Sequence, residues 1–241
     1  MSIQIRFPIR ALTAALCLAA TAVSAHAAGH DAAADFTFSQ TSNPNGVWSY
    51  GWDVADAAGT YAFTALDVFN GNASAFGWNS STHNAAGTPG IWKNDAGNTQ
   101  YGVLSGQLSL HPAENQYGFA NDNAAILRFT AAVVGTYDIN AQFFIGDGGD
   151  TVAWVVKNND FSNALVSLGS TGSNPTYIAS LTLQAGDTLD FVVGHSSDDL
   201  WGDNTPVNVS INAPVPEPET YALMLAGLAL VGFMARRQRQ S

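Results

Sequence analysis

Residues 137–141 read Tyr-Asp-Ile-Asn-Ala, and residues 207–211 read Val-Asn-Val-Ser-Ile. In both stretches apolar and polar side chains alternate with a period of two, which is the period of a β-strand. Successive side chains of a strand point to opposite faces of the sheet. The alternation therefore predicts strands that turn one face toward a core and the other toward water.

Further short stretches extend this pattern along the chain. They are rich in β-branched and aromatic residues, as strands are, and together with the first two they predict strands over residues 125–130, 137–145, 152–157, 177–183, 189–193 and 207–212. Gly-containing separators lie between them at the spacing expected for a sandwich. The sequence predicts an all-β fold, a single β-sandwich that is jelly-roll-like, with few helices.

Composition defines the central segment, residues 28–213, as one acidic domain. Its 186 residues are enough for a substantial core. It carries three basic residues against 17 acidic ones, a net charge of −14. Such a field repels nucleic acid, anionic membranes and polyanionic glycans that lack bridging divalent cations. Nucleic acid is therefore excluded as a partner.

The N-terminal 27 residues have the three parts of a secretory signal peptide. Arg6 and Arg10 form the basic region, residues 11–23 are apolar, and Ala25 and Ala27 flank His26 as a small-x-small cleavage site for signal peptidase. The single cysteine, Cys17, lies inside this peptide. The exported domain is therefore expected to fold without disulfides.

The C-terminal residues 214–241 have a second three-part pattern. Prolines at 214, 216 and 218 with Glu217 predict an extended, exposed segment. Residues 221–235 are apolar and predict a short membrane helix, below the roughly 20 residues that a span of the hydrocarbon core requires. The basic residues that follow are expected to stay on the cytoplasmic side. They are Arg236, Arg237 and Arg239.

This tail resembles the PEP-CTERM sorting signal of Gram-negative bacteria that make extracellular polysaccharide. Pro216, Glu217 and Pro218 match its motif, followed by the apolar segment and the basic end. The resemblance implies export, an inner-membrane-anchored precursor, cleavage near Pro-Glu-Pro by an exosortase, and release to the cell surface or medium. A plain tail anchor is the alternative, although it would not require Pro-Glu-Pro.

A weaker resemblance covers most of the central domain. It rests on stretches that begin at residues 45, 89, 110, 125, 135 and 185, among them Asn-Gly-Val-Trp-Ser-Tyr-Gly-Trp and Ala-Gly-Asp-Thr-Leu-Asp-Phe-Val-Val-Gly. In this order they look like lectin-like, galactose-binding-type jelly-roll modules of surface proteins. The resemblance implies a binding or matrix role, and it identifies no sugar.

Tryptophans suggest where a sugar would bind. Those at positions 48, 52, 78 and 92 lie among Gly, Asn and Ser in an irregular first half, and Trp201 lies in an acidic stretch. On turns, such rings could stack on the apolar faces of sugars. The alternative is that they fill the ends of the sandwich core.

Two acidic, Gly-containing loops are candidate calcium sites. Asp147 and Asp150 lie in one loop, and Asp198, Asp199 and Asp203 lie in the other. Calcium takes oxygen ligands from carboxylates and carbonyls and needs no His or Cys. Neither loop has the EF-hand order, and ordinary solvated turns are the alternative.

Catalytic patterns are weak in this sequence. It has no Gly-x-Ser-x-Gly elbow and no His-Glu-x-x-His, and the one glutamate of the central domain, Glu114, has no recognisable partner. The leading hypothesis is a non-catalytic module that binds glycan or exopolysaccharide. A secreted glycan-degrading enzyme and a structural matrix protein without a ligand are the alternatives.

Overall fold

The computed structural model describes residues 29–53, 60–82, 87–114, 122–149, 151–196, 201–214 and 218–238. Ala28–Pro214 forms one unit, and the chain termini belong to another. Within the first unit, two antiparallel β-sheets pack face to face. The predicted all-β sandwich is confirmed.

The larger sheet has the strand order β12-β9-β14-β7-β6-β5-β4, and β1 pairs with β14 beside this path. Its strands are β1 (Gly29–Asp31), β4 (Val68–Asn72), β5 (Ala75–Asn79), β6 (Gly90–Asn94), β7 (Leu108–His111), β9 (Gly135–Phe143), β12 (Thr176–Leu183) and β14 (Thr205–Asn212).

The smaller sheet has the order β11-β10-β13-β8-β2-β3. Its strands are β2 (Trp48–Asp53), β3 (Phe63–Ala65), β8 (Ala125–Thr130), β10 (Thr151–Lys157), β11 (Val166–Ser170) and β13 (Thr188–His195). One helical turn, α1 (Ala32–Asp35), precedes β2, and short 3-10 helices occur at Phe161–Asn163 and Thr171–Ser173.

The core lies between the sheets and follows the sequence alternation. In β9, Tyr137, Ile139 and Ala141 are buried, whereas Asp138 and Asn140 are exposed. Each large side chain removed from water in this way contributes about 1.5–3 kcal/mol of stabilisation. The period-two prediction for this strand and for β14 is confirmed.

The outer face of the smaller sheet is covered. Ile126 and Val192 pack there beneath Trp154 and Phe161. Arg128 makes a bidentate ion pair with Asp190, with Nε–Oδ1 and Nη2–Oδ2 distances of 2.6 and 2.7 Å. Tyr61 donates to the same carboxylate, and the Phe63 ring lies 3.7 Å from the Arg128 guanidinium carbon. This face is filled by the protein's own side chains.

The first half of the domain is more regular than we predicted. Strands β2 to β6 lie there, and Trp48, Trp52, Trp78 and Trp92 all belong to strands. These strands are short and contain Gly and Asn, as in the sequence Ala-Phe-Gly-Trp-Asn of β5. Because Gly and Asn are typical of turns, these stretches were not predicted as strands.

The C-terminal unit contains a helix, α2 (Pro218–Gln238). Pro218 is its first residue, a position at which proline is favoured, so the prediction of an extended conformation at Pro218 is wrong. Pro216, Glu217 and Arg239 lie outside the described residues, as do Ala25 and Ala27. No helix in the described part of the chain is both long enough and apolar enough to span a membrane.

Candidate functional site

A cleft of about 490 Å³ lies on the outer face of the larger sheet. Its floor follows a row of residues that the strand register aligns, from Asn70 in β4 through Gly77 in β5 to Trp92 in β6. Two loops form its wall, one containing Asp147 and the other containing Trp201. The cleft is therefore built on rigid strands and closed by loops.

Three aromatic side chains converge in this cleft. Trp92 is half-buried, whereas Tyr101 and Trp201 keep 68% and 75% of their surface exposed. The Trp92 and Tyr101 rings meet edge to face, with centroids 6.3 Å apart and planes at 79°. The site thus offers apolar ring surface to solvent on a sheet whose other outward side chains are largely polar.

A tight turn projects Tyr101 into this position. Tyr101 and Gly102 have φ values of 48° and 74°, and Gln100 and Val103 pair across them. Positive φ at both central residues is the mark of a type I′ hairpin turn. A Cβ on Gly102 would lie 2.1 Å from the backbone of Gly146, so the turn packs directly on the 144–149 loop.

Gly77 keeps the floor open. A Cβ at this position would lie 2.4 Å from the carbonyl oxygen of Ile91 and 2.7 Å from the Cβ of Trp92. Any larger residue would therefore displace Trp92. The absence of a side chain at Gly77 lets the indole lie against the sheet.

Asn204 fixes the orientation of Trp92. Its side-chain oxygen accepts a hydrogen bond from Trp92 Nε1 at 2.8 Å and one from Ser109 Oγ at 3.2 Å. Its amide nitrogen donates to Asp147 Oδ2 at 3.1 Å, and its backbone N–H donates to Asp147 Oδ1 at 3.2 Å. Asn204 is 9% exposed, and it connects the floor of the cleft to the 144–149 loop.

The two acidic loops meet at this cleft. The Gly149 N–H donates to the Gly202 carbonyl at 2.7 Å, and a Cβ on Gly149 would lie 2.4 Å from Asp203 Oδ1. The sequence alone leaves open whether the two loops form one calcium site or two. Their contact makes a single acidic region of Asp147 and Asp203.

A buried His–Asp pair lies behind this region. His195 Nδ1 is 3.2 Å from Asp203 Oδ2, and the two side chains are 1% and 2% exposed. His111 lies nearby and lines the cleft. Burial lowers the pKa of His111, against the opposing effects of a hydrogen bond to the Pro112 carbonyl and the charges of Asp203 and Asp147. His111 is therefore a neutral hydrogen-bonding group at pH 7.

Metal ligation stays a prediction. Among the described residues no group of three or more His, Cys, Asp or Glu side chains is arranged to hold a metal ion. Asp150, Asp198 and Asp199 of the predicted calcium sites lie outside the described residues. Asp147 and Asp203 are the two members that the structure places near each other.

The structure divides the predicted tryptophans into two groups. Trp48, Trp52 and Trp78 are 1%, 7% and 5% exposed and belong to the core, so stacking on sugars at these positions is ruled out by burial. Trp92 and Trp201 line the cleft. Sequence reasoning missed Tyr101 and Asn204, although an Asn-Thr-Gln-Tyr-Gly sequence is a turn signal that could have suggested Tyr101.

The C-terminal tail matches a known protein-sorting motif. Residues 214–239 match the PEP-CTERM protein-sorting motif. In α2, Arg236 and Arg237 occupy the last turn and are exposed. The sorting motif covers the basic end and the apolar segment that we predicted, so that resemblance is confirmed.

Comparison with curated proteins finds no match to this chain. Among solved structures, a family 35 carbohydrate binding module from Clostridium thermocellum is 12% identical over 45% of this chain and 78% of its own, with a TM-score of 0.26. A family 35 module from an environmental isolate is 20% identical over 52% and 86%, with a TM-score of 0.28.

A third solved structure, the CBM35 from Paenibacillus barcinonensis, is 11% identical over 48% of this chain and 84% of its own, with a TM-score of 0.26. Values this low give no information about a ligand for the present chain. Any argument about binding therefore has to come from the cleft itself.

Proposed function

We propose that this protein is exported to the cell surface and that its sandwich binds a glycan in the aromatic cleft without cleaving it. The observation that carries this proposal is the exposure of Tyr101 and Trp201 beside the half-buried Trp92. Large aromatic side chains gain stability by burial, and a cluster that stays exposed in a concave site is typical of binding surfaces. Trp48, Trp52 and Trp78 of the same domain are instead buried in the core.

Polar groups surround these rings in the way that a sugar requires. Asn70, Asn79, Gln100 and His111 line the same cleft and supply both donors and acceptors. A pyranose presents apolar C–H faces and a rim of hydroxyl groups. Ring surface for the faces and amides for the hydroxyls together make an orienting site.

Charge restricts the class of glycan. The net charge of −14 over residues 28–213 disfavours polyanionic chains. Asp147 adds a carboxylate at the cleft itself. The ligand class is therefore a neutral polysaccharide, with the exopolysaccharide of the producing cell as the physiological candidate.

The arrangement of the cleft supports binding over hydrolysis. Glycoside hydrolysis commonly uses two carboxyl groups that flank the scissile bond. Within the described part of the cleft lining, Asp147 is the one carboxylate, and both of its oxygens accept hydrogen bonds from Asn204. Asp147 thus serves to hold Asn204 and through it Trp92.

Export is supported by the sorting motif at residues 214–239. The proposed route begins with signal peptidase acting after Ala27. The tail, with α2 inserted in the inner membrane, then holds the precursor until an exosortase cleaves near Pro216-Glu217-Pro218. The released domain would reach the surface or the extracellular matrix.

A binding panel of neutral and acidic polysaccharides tests the proposal, with the exported protein and a parallel assay for reducing ends. We expect binding to a neutral polysaccharide without release of reducing ends. Trp201→Ala and Tyr101→Ala should each weaken it by roughly two- to tenfold, the value of one aromatic contact of about 0.5–1.5 kcal/mol. Val134→Ala is the matched control, because Val134 is also exposed, at 60%, but lies outside both the cleft and β12.

Two outcomes would contradict the proposal. Binding to none of the polysaccharides would favour a structural matrix protein without a ligand. Release of reducing ends that stops in Asp147→Asn would indicate a glycan-degrading enzyme.

A further inference from the structure

In the described structure, besides the three-residue β1, four edge strands end the two sheets, and three of them are poorly suited to pair with another strand. β3 has three residues, β4 contains Gly71 at a φ of 115°, and β11 contains Gly169 at a φ of 69° and pairs irregularly with β10. Short or distorted edges are how soluble proteins avoid pairing between molecules. The fourth edge, β12, differs from these.

β12 (Thr176–Leu183) is long, regular and uncharged. Its eight residues read Thr-Tyr-Ile-Ala-Ser-Leu-Thr-Leu, without proline, glycine or any charged side chain. They pair with β9 over the whole length without a register shift, and in the described structure β9 is the one strand that pairs with β12. Ile178 is 75% exposed.

Two hydrogen bonds define which backbone groups of β12 point outward. Phe143 N–H donates to the Pro175 carbonyl at 3.0 Å, so in this antiparallel register the odd-numbered residues of β12 bond to β9. Phe144 N–H donates to the Pro206 carbonyl at 2.9 Å, so the even-numbered residues of β9 bond to β14 and the odd-numbered ones bond to β12. The N–H and C=O groups of Thr176, Ile178, Ser180 and Thr182 therefore face away from the sheet.

We propose that this edge pairs with the same edge of a second copy of the chain, antiparallel and centred on Ala179. Centring on Ala179 places Thr176 opposite Thr182 and Ile178 opposite Ser180. All four outward-facing residues then lie opposite one another. The next registers that keep these groups facing each other would place Thr176 or Thr182 opposite a residue outside β12.

Charge leaves this edge as the place where a second copy can approach. The domain carries a net charge of −14, so two copies repel each other over most of their surfaces. β12 is an uncharged strip, and self-pairing there brings no like charges directly opposite. The pairing also covers Tyr177 and Leu181, which are half-buried at the margin of the core.

The pairing is isologous and therefore closes as a dimer. Residues that are directly opposite in an antiparallel pair share one face, so the outer faces of the two larger sheets lie on the same side. Both aromatic clefts would then open in the same direction, which allows two sites to engage one polymer. The dimer itself does not depend on glycan binding.

Cysteine cross-linking on intact cells tests the register, with the full chain in a Cys17→Ala background. Two copies of Ala179 face each other as a non-hydrogen-bonded pair with Cα atoms about 4.5 Å apart, within the range for a disulfide. Ala179→Cys should therefore form a covalent dimer under mild oxidation. Ile178→Cys is the matched control, because its two copies would lie roughly 9 Å apart, too far to bridge, although residue 178 is more exposed.

A second pair of variants tests the edge without cysteine chemistry. Ile178→Lys should shift the protein from dimer to monomer in sedimentation of the full chain in detergent, with the circular dichroism spectrum of the β-sandwich unchanged. Asn140→Lys adds the same charge on the same face, directly opposite Ile178 on β9, and should stay dimeric. Equal cross-linking at 178 and 179, a monomeric wild type, or a dimer that survives Ile178→Lys would each overturn the proposal.

Discussion

Replacing Asn204 by alanine should destabilise the domain and disorder the floor of the cleft. The change removes the acceptor of Trp92 Nε1 and of Ser109 Oγ and the donor to Asp147 Oδ2. Ser109 is 0% exposed, so its hydroxyl loses its acceptor in a buried position. The backbone hydrogen bond from residue 204 to Asp147 stays in place.

The magnitude follows from these contacts. Neutral hydrogen bonds contribute about 0.5–1.5 kcal/mol each, and a buried group left unpaired costs about 1–3 kcal/mol. We expect a loss of about 3 kcal/mol in the free energy of unfolding, or roughly 6–12 °C in melting temperature for a domain of this size. Because Trp92 also loses its fixed orientation, glycan affinity should fall in the same variant.

Differential scanning fluorimetry checks the first effect. Asn208→Ala is the matched control, because Asn208 is an exposed asparagine on the same sheet face, and its side-chain oxygen accepts a hydrogen bond from Gln107 at 3.3 Å. Its effect should stay within about 0.5 kcal/mol, as for most surface changes. A melting temperature of Asn204→Ala within about 1 °C of the control would refute the proposed role of Asn204.

Three further predictions concern other parts of the chain. Hydrogen bonds from the Gln184 backbone N–H and the Asn158 side chain, together with Lys157, lower the pKa of Asp187 from 3.8 to about 2. The ionised Asp187 therefore stabilises the fold above pH 3.8, and this stabilisation is lost as the pH falls toward 2. Asp187→Asn should flatten the dependence of the melting temperature on pH in that window, as measured by acid titration. Calcium at about 100 times its dissociation constant should stabilise the folded domain by roughly 2.7 kcal/mol if the acidic loops bind it, and Asp147→Asn or Asp203→Asn should each remove this effect, whereas sodium at matched ionic strength should not reproduce it. Replacing Glu217, or both Pro216 and Pro218, by alanine should leave an uncleaved precursor in membrane fractions, and mass spectrometry showing an intact Arg239 end on the wild-type exported protein would contradict this.

Strands with a strict alternation could be predicted from the sequence. β8 has the predicted bounds, and β9, β12, β13 and β14 differ from the predicted bounds by no more than two residues at either end. In β9, β12 and β14 a period of two results from burial on one face, whereas β8 and β13 are covered on both faces and were predicted from their β-branched and aromatic residues. The strands β4 and β5 were not predicted because they contain Gly71, Gly77 and Asn79, whose residue types are typical of turns.

The site was predictable only in part. Trp48 and Trp92 have similar neighbours in the sequence, yet one is in the core and the other lines the cleft. The difference depends on which face of its strand each residue occupies, which a short strand does not reveal. The contact between the 144–149 loop and residues 201–204 depends on sheet topology, and no local pattern encodes it.

Indole N–H resonances offer the most direct test of glycan binding in the aromatic cleft. The chain has six tryptophans, and Trp92 and Trp201 line the cleft, whereas Trp48, Trp52 and Trp78 are buried and Trp154 lies on the opposite sheet. Titration of the ¹⁵N-labelled protein with the polysaccharide that binds in the panel should shift the Trp92 and Trp201 indole signals and leave the other four in place. Shifts at Trp154 with none at Trp92 and Trp201 would contradict the assignment of the binding site to this cleft.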